Sequence, residues 1–387
     1  MLTQEEINHC FEVRFQYLDG EMLIRDVDIV IFCNNENHRN PAIRYFTNFP
    51  SDAVFIYDIA GGGIPYLFVW DINLAEKLDL PIPRENIFSY AQSGSTPTEI
   101  LNFFLKKTKF KPATKKIEID PETSYPDFLD FVDNFNDFDI VCQKEGSIHE
   151  AVNKMRAIKD DYEIECTMQA ANITNEILKI LETDIQSGKI KTETDVALTI
   201  EVLCRKFGCE KTSFDTLAAG PERSFAIHAF PGYTDKPFAT EGLSLVDFGV
   251  CYKGYASDVT LTIARGKLTE KQELMLSLVQ EASQECLKLY KDGNLVKDAS
   301  LKADKIFAKA KMKMPHSLGH GTGLEIHEAP FVRAKASNES VFKNGMIVTL
   351  EPGLYDSKCG GVRLENDVLI CEGGNQVLTK SKILRLE

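Results

Sequence analysis

The sequence has ten cysteines but no C-x-x-C pair. A chain of 387 residues does not need a disulfide framework to hold its core, and a structural thiolate zinc site has no ligand spacing here to build on. Basic charge is also in deficit. Lysine and arginine number 44 against 58 acidic residues, a formal net charge of −14. Phosphate backbones need a basic stripe, so nucleic acid is excluded as a partner. No apolar run approaches the ~20 residues a membrane span requires. The first residues, MLTQEEINHCFEVRF, lack a basic start followed by an apolar core. They do not read as a signal peptide, and a soluble cytoplasmic protein with reduced thiols is expected. A phosphate loop is absent too. Gly61-Gly62-Gly63 has no following Lys-Ser/Thr and sits between two strand-like runs, so it reads as a hairpin turn.

What is present is an ordinary globular balance, 43% hydrophobic and 26% charged. The length suggests two domains, and the pattern changes near Gly146. Before it, strand-like segments at Val27–Phe32, Ala53–Tyr57, Tyr66–Trp70 and Ile140–Cys142 alternate with helix-like ones such as Thr98–Lys107, an α/β pattern. After it come long amphipathic stretches at Ala151–Leu181, Thr194–Phe207 and Val296–Met312. Thr269-Glu-Lys-Gln272 has the form of a capping box. Strand-rich blocks at Leu243–Ala264 and Met346–Cys371 separate and follow these helices. The order hints at a duplicated αββ unit. The expected domains are therefore 1–146 and 147–387.

Each strand-rich block carries two carboxylates in otherwise apolar surroundings. The midpoint of Asp247 and Asp258 falls in the turn Tyr252-Lys253-Gly254, so the two are expected to face each other, or nearly so, across a hairpin. Glu351 and Glu365 are centred on position 358, inside a second turn, Asp356–Gly361. Acidic residues are depleted in strands, and like charges placed opposite each other are destabilising. Four converging carboxylates call for a cation between them. Three of the seven histidines, His316, His320 and His327, fall within twelve residues; His228 is a further candidate. The glycines flanking His320 are expected to let backbone approach a ligand closely. Oxygen-rich ligation with imidazole suits a first-row divalent ion.

Taken together, Asp247-Phe-Gly, Ala256-Ser-Asp-Val-Thr260, Gly319-His-Gly-Thr-Gly-Leu-Glu-Ile-His-Glu328, Leu350-Glu-Pro-Gly353 and Gly361-Val-Arg-Leu-Glu365 resemble the pita-bread metallopeptidases. That family includes methionine aminopeptidase, aminopeptidase P and prolidase. The resemblance implies an α+β pita-bread catalytic domain of pseudo-two-fold αββ units, preceded by an α/β creatinase-type domain. Tyr45-Phe-Thr-Asn-Phe49 is a local echo of that N-terminal domain. It implies two divalent metal ions per subunit, Mn first, with Co, Zn or Fe as alternatives. Asp247 and Asp258 would bind the first ion and His320 and Glu351 the second, with Asp258 and Glu365 bridging. Glu351 would also shuttle a proton. His228 would meet the scissile carbonyl, His327 would be a second non-ligand histidine of the site, and Arg363 would support it. Leu261 and Ile227 depart from the family's usual Arg and Pro. The extra N-terminal domain favours the proline-specific branch, which acts on small peptides with proline second and releases the residue before it. A homodimer, with one subunit helping to close its partner's site, is also implied. Arg333 is a candidate for reading a substrate carboxylate, and His316 is expected to matter little. The alternative is a metal-free or inactive pita-bread protein, a creatinase-like hydrolase or a binding module.

Overall fold

A computed structural model describes residues 2–34, 39–110 and 115–387, and every statement of structure below concerns those residues. The chain divides into two compact units, Met1–Arg156 and Ala157–Glu387. The division falls ten residues beyond the change of pattern at Gly146. The cause is the helix Ile148–Arg156, whose start is capped from within the first unit. Glu118 Oε1 accepts from the backbone N–H of Ile148 at 2.7 Å and lies 3.0 Å from His149 Nδ1. Such a carboxylate satisfies donors that a helix start leaves open.

The first unit is built on a six-stranded mixed sheet. Its strands run in the order Ile87–Ser89, Ile64–Val69, Ala53–Asp58, Ile29–Cys33, Lys116–Glu118 and Asp139–Val141. The glycine run is the hairpin turn expected of it, joining two antiparallel strands with Gly62 and Gly63 at positive φ. An aromatic cluster fills one side, where the Phe32, Phe46 and Phe55 ring centroids lie within 6.0 Å of one another.

In the second unit, the helical stretch expected over 151–181 is broken. Asp160 caps a new helix, Asp161–Gln186, by accepting from Glu163 N–H, and Glu163 answers in a capping box. Thr269 and Gln272 form the capping box read from the sequence, which starts helix Glu270–Leu287. Two similar halves follow. Helices Asp161–Gln186 and Glu193–Lys206 share a core with strands Gly242–Phe248 and Val259–Arg265, through Ile177, Ile200, Val246 and Leu261. Helices Glu270–Leu287 and Val296–Ala308 share another with strands Ile347–Leu350 and Glu365–Cys371, through Val279, Phe307, Val348 and Val368. The halves meet where Thr260 pairs with Glu365, inside one nine-stranded sheet. This is the pseudo-two-fold αββ arrangement. Among the described residues no helix is long and apolar enough to cross a membrane, and the ten cysteines are free thiols.

Candidate metal centre

Strand register brings the carboxylates together. Asp247 pairs with Thr260, and Thr260 pairs in turn with Glu365. In the second half, Leu350 pairs with Asn366, so continuing that register by one residue sets Glu351 opposite Glu365, as the midpoint argument required. In the first half Asp247 and Asp258 nearly face each other but are not direct partners. Asp258 lies two residues before Thr260, outside the strand, and so diagonal to Asp247 on the same face. Gly249 is where the hairpin tightens; a Cβ there would lie 1.7 Å from the Ser257 carbonyl oxygen. The flanking glycines of His320 act differently from expectation. Cβ atoms at Gly319 and Gly321 would strike the carbonyls of Thr349 and Ala329 at 1.9 and 2.2 Å. These glycines admit neighbouring strands, not a ligand.

Asp258, His320 and Glu365 each offer a ligand atom within 4.8 Å of the others, and all three are buried. His320 Nδ1 lies 3.1 Å from the Gly321 carbonyl oxygen, which holds the proton on that nitrogen. Nε2 is left facing Asp258 Oδ2 at 3.8 Å and Glu351 Oε1 at 3.6 Å. Asp247 Oδ1 and Asp258 Oδ1 are buried without hydrogen-bond partners. Burial, with Glu365 and Asp247 nearby, pushes the Asp258 carboxyl well above its usual range. Burial and Glu365 do the same to Glu351. Glu365 rises to about 7, from burial and then Asp247. Burial lowers His320 to about 4, which keeps its ring neutral and able to ligate. Four clustered acids, two of them fully buried, with two bare oxygens and a neutral imidazole, fit a divalent cation.

Arg363 is buried and spends its guanidinium within the site. It donates to Asp247 Oδ2 at 2.5 Å, Thr260 Oγ1 at 2.8 Å, the Tyr355 hydroxyl at 2.8 Å and the Ile227 carbonyl at 3.2 Å. Thr260 passes the link on, donating to Glu365 Oε2 at 2.6 Å. The Ile227 departure thus keeps a backbone acceptor in use. Leu261 points the other way, into the core. His228 and His327 line the cleft, and the His327 ring sits 4.4 Å from that of His320.

Sequence reasoning missed several groups. His316 lines the same cleft, with Nε2 3.0 Å from the Tyr355 hydroxyl and Nδ1 3.7 Å from Glu351 Oε2. Because Tyr355 accepts from Arg363, its own proton goes to His316. Burial pushes His316 down to about 4, so it stays neutral. Asp367, buried on the Glu365 strand, accepts from the Asp258 backbone N–H at 2.8 Å. Glu193, also buried, accepts from Gly220 N–H at 2.8 Å, Thr234 N–H at 2.8 Å and Arg223. Arg223 reaches on to the Pro231 carbonyl, so this pair ties down both ends of the loop carrying His228 and Phe230. Only the wide spacing of acid and base in the sequence hid it.

A model of metallopeptidase family M24 matches residues 165–372, more than half of the chain. A Xaa-Pro dipeptidase of Pyrococcus furiosus is 36% identical over 271 residues, 70% of this chain and 75% of that one. Among solved structures, a Xaa-Pro dipeptidase from Bacillus anthracis superposes with a TM-score of 0.81 at 25% identity, covering 97% of this chain and 100% of that chain. An X-Pro aminopeptidase from Thermotoga maritima gives 0.79 at 26% identity, covering 95% and 99%. The chain belongs to metallopeptidase family M24, with the pita-bread fold of that family. Its enzyme class is that of a metallo-exopeptidase.

Proposed function

We propose that the enzyme hydrolyses the Xaa-Pro bond at the N-terminus of small peptides and releases the residue before proline. In this reading Asp247, Asp258, His320, Glu351 and Glu365 hold two divalent ions, manganese first, with cobalt, zinc or iron as alternatives. The observation that carries it is the pair of unpartnered, buried oxygens, Asp247 Oδ1 and Asp258 Oδ1, beside the inward-facing Nε2 of His320. Bound divalent ions supply Lewis acidity at the carbonyl and a water of lowered pKa.

The chain's own groups do the rest. Glu351, ionised once the cations are bound, receives a proton from the attacking water and returns it to the leaving nitrogen. His228 meets the carbonyl oxygen as charge develops there, and His327 lines the cleft beside His320. Arg363 fixes Asp247 by one oxygen and leaves the other for ligation. A prolyl nitrogen carries no N–H, so a site that works on the carbonyl suits this substrate. The same reading takes residues 1–146 as a creatinase-type domain, the protein as cytoplasmic, and the active form as a homodimer in which one subunit closes its partner's site. Light scattering checks the dimer; a monomer with full activity overturns it. Assay of Ala-Pro, Ala-Pro-Ala and Met-Ala-Ser with each metal tests the substrate. Turnover of Met-Ala-Ser alone overturns the proline assignment. Activity retained in protein that binds no divalent ion overturns the metal assignment and favours a creatinase-like hydrolase.

A further inference from the structure

His320 pairs directly with Phe331 on the neighbouring strand, Glu328–Val332. Directly paired residues share a face, with Cβ atoms about 5 Å apart. Burial alternates along that strand: Glu328, Pro330 and Val332 are inward, while Ala329 and Phe331 face out. The same alternation puts exposed Arg333 on the Phe331 side, with its guanidinium carbon 6.0 Å from the Phe331 ring centre. Phe331 is 44% exposed and lines the cleft; Phe230, 96% exposed, lines it as well. Exposed aromatic rings at an open cleft are poised to meet a ligand.

The cleft's cations decide what can lie there. Among the described residues lining it there is no lysine, and Arg363 is the only guanidinium. Arg363 commits four of its five N–H donors to Asp247, Thr260, Tyr355 and the Ile227 carbonyl. The C-terminal carboxylate of a dipeptide sits on the proline itself. Beside the reacting bond it would meet the Phe331 ring, with no lysine and no second arginine lining the cleft to pair with it, an unfavourable place for an unpaired charge. An extended chain advances about 3.3–3.6 Å per residue, and Arg333 lies two strand positions, about 6.6 Å, beyond Phe331. One more substrate residue brings the carboxylate level with Arg333. The cleft volume, about 820 Å³, is near the upper end of the ~300–1,000 Å³ usual for ligand pockets and leaves room for that residue.

We propose that Phe331 and Arg333 set substrate length: the cleft takes peptides with at least one residue after proline, packs that residue on Phe331, and pairs a tripeptide's carboxylate with Arg333. The inference rests on the Xaa-Pro reading above. The test uses the full-length, manganese-loaded enzyme with Ala-Pro, Ala-Pro-Ala, Ala-Pro-Ala amide and Met-Ala-Ser. Ala-Pro-Ala is expected to exceed Ala-Pro about 10-fold or more in kcat/KM. An exposed ion pair is modest, so the amide is expected to fall about 3- to 5-fold below the free tripeptide, mainly through KM. Arg333→Ala then brings the two level, and Phe331→Ala raises KM for both. Equal or better turnover of Ala-Pro overturns the length inference while leaving the Xaa-Pro reading intact. So does an amide-to-acid ratio that Arg333→Ala leaves unchanged. Turnover of Met-Ala-Ser with neither proline peptide overturns both.

Discussion

The two halves of the centre present the same motif, a carboxylate pair on a hairpin, and hold it in different ways. In the second half the register runs from Ile347–Leu369 to Leu350–Asn366, and Glu351, the next residue, falls opposite Glu365 when that register is extended. In the first half the ladder is interrupted around Gly249 and Asp258, and side chains replace backbone pairing. Arg363 grips Asp247, and Asp367 takes the Asp258 backbone N–H. Two of three unpartnered carboxylate oxygens, Asp247 Oδ1 and Asp258 Oδ1, lie in this first half; the third, Asp367 Oδ1, lies in the second. The difference teaches that the more regular half borrows little, Thr260 donating to Glu365, whereas the irregular half depends on two groups borrowed from the other hairpin. Arg363 and Asp367 both belong to the second half.

That contrast yields ordered expectations. The largest effect belongs to the ligands. His320→Ala is expected to lower kcat/KM by about 10³-fold or more with an unchanged circular dichroism spectrum, because a catalytic metal contributes several kcal/mol. Normal turnover in that variant breaks the assignment. Next comes the borrowed support. Tyr355→Phe removes the hydroxyl between Arg363 and His316 and is expected to cost about 10- to 100-fold in activity or metal affinity, the range for groups that orient ligands. His316→Ala is expected to fall in the same range. An effect under 2-fold in both would detach this network from the site.

Third is the loop that carries His228. Glu193→Gln leaves Arg223 without its charge partner and one buried donor unpaired. The expected cost is ~1–3 kcal/mol of stability, read in denaturant melts, with KM rising more than kcat falls. The smallest effect is pH dependence. A buried acid whose folded pKa is raised contributes stability at low pH and loses it as pH rises through that value. Glu365, at about 7, should therefore make the metal-free protein less stable at pH 8 than at pH 6.5. His316 and His320, lowered to about 4, act oppositely, and their contribution is lost only below pH 6.5. Manganese, which holds the carboxylates ionised, should raise Tm more at pH 8 than at pH 6.5; a gain independent of pH would contradict the assignment.

Local chemistry made much of this legible in the sequence. The Thr269 capping box, the Gly61–Gly63 turn and the Glu351–Glu365 register all depend on residues close together or on one regular hairpin. The Asp247–Asp258 facing is legible only to within two positions, because the turn lies at Lys253-Gly254 and the ladder pairs Asp247 with Thr260. The Asp160 capping box was present in the residues but masked by apolar periodicity that continues across the helix break. The place of His316 is not legible in the sequence, because its partner, Tyr355, lies 39 residues away. Glu193 and Phe331 become meaningful only once strands and loops distant in sequence are adjacent, which periodicity does not encode.

The central claim is that the two unlike halves together hold two ions. Metal content per chain, measured by mass spectrometry after manganese reconstitution and desalting, tests it most directly. The expected result is two ions per wild-type chain, and fewer in both Asp258→Asn, from the irregular half, and Glu365→Gln, from the regular one. A folded wild-type chain that retains no divalent ion would contradict it.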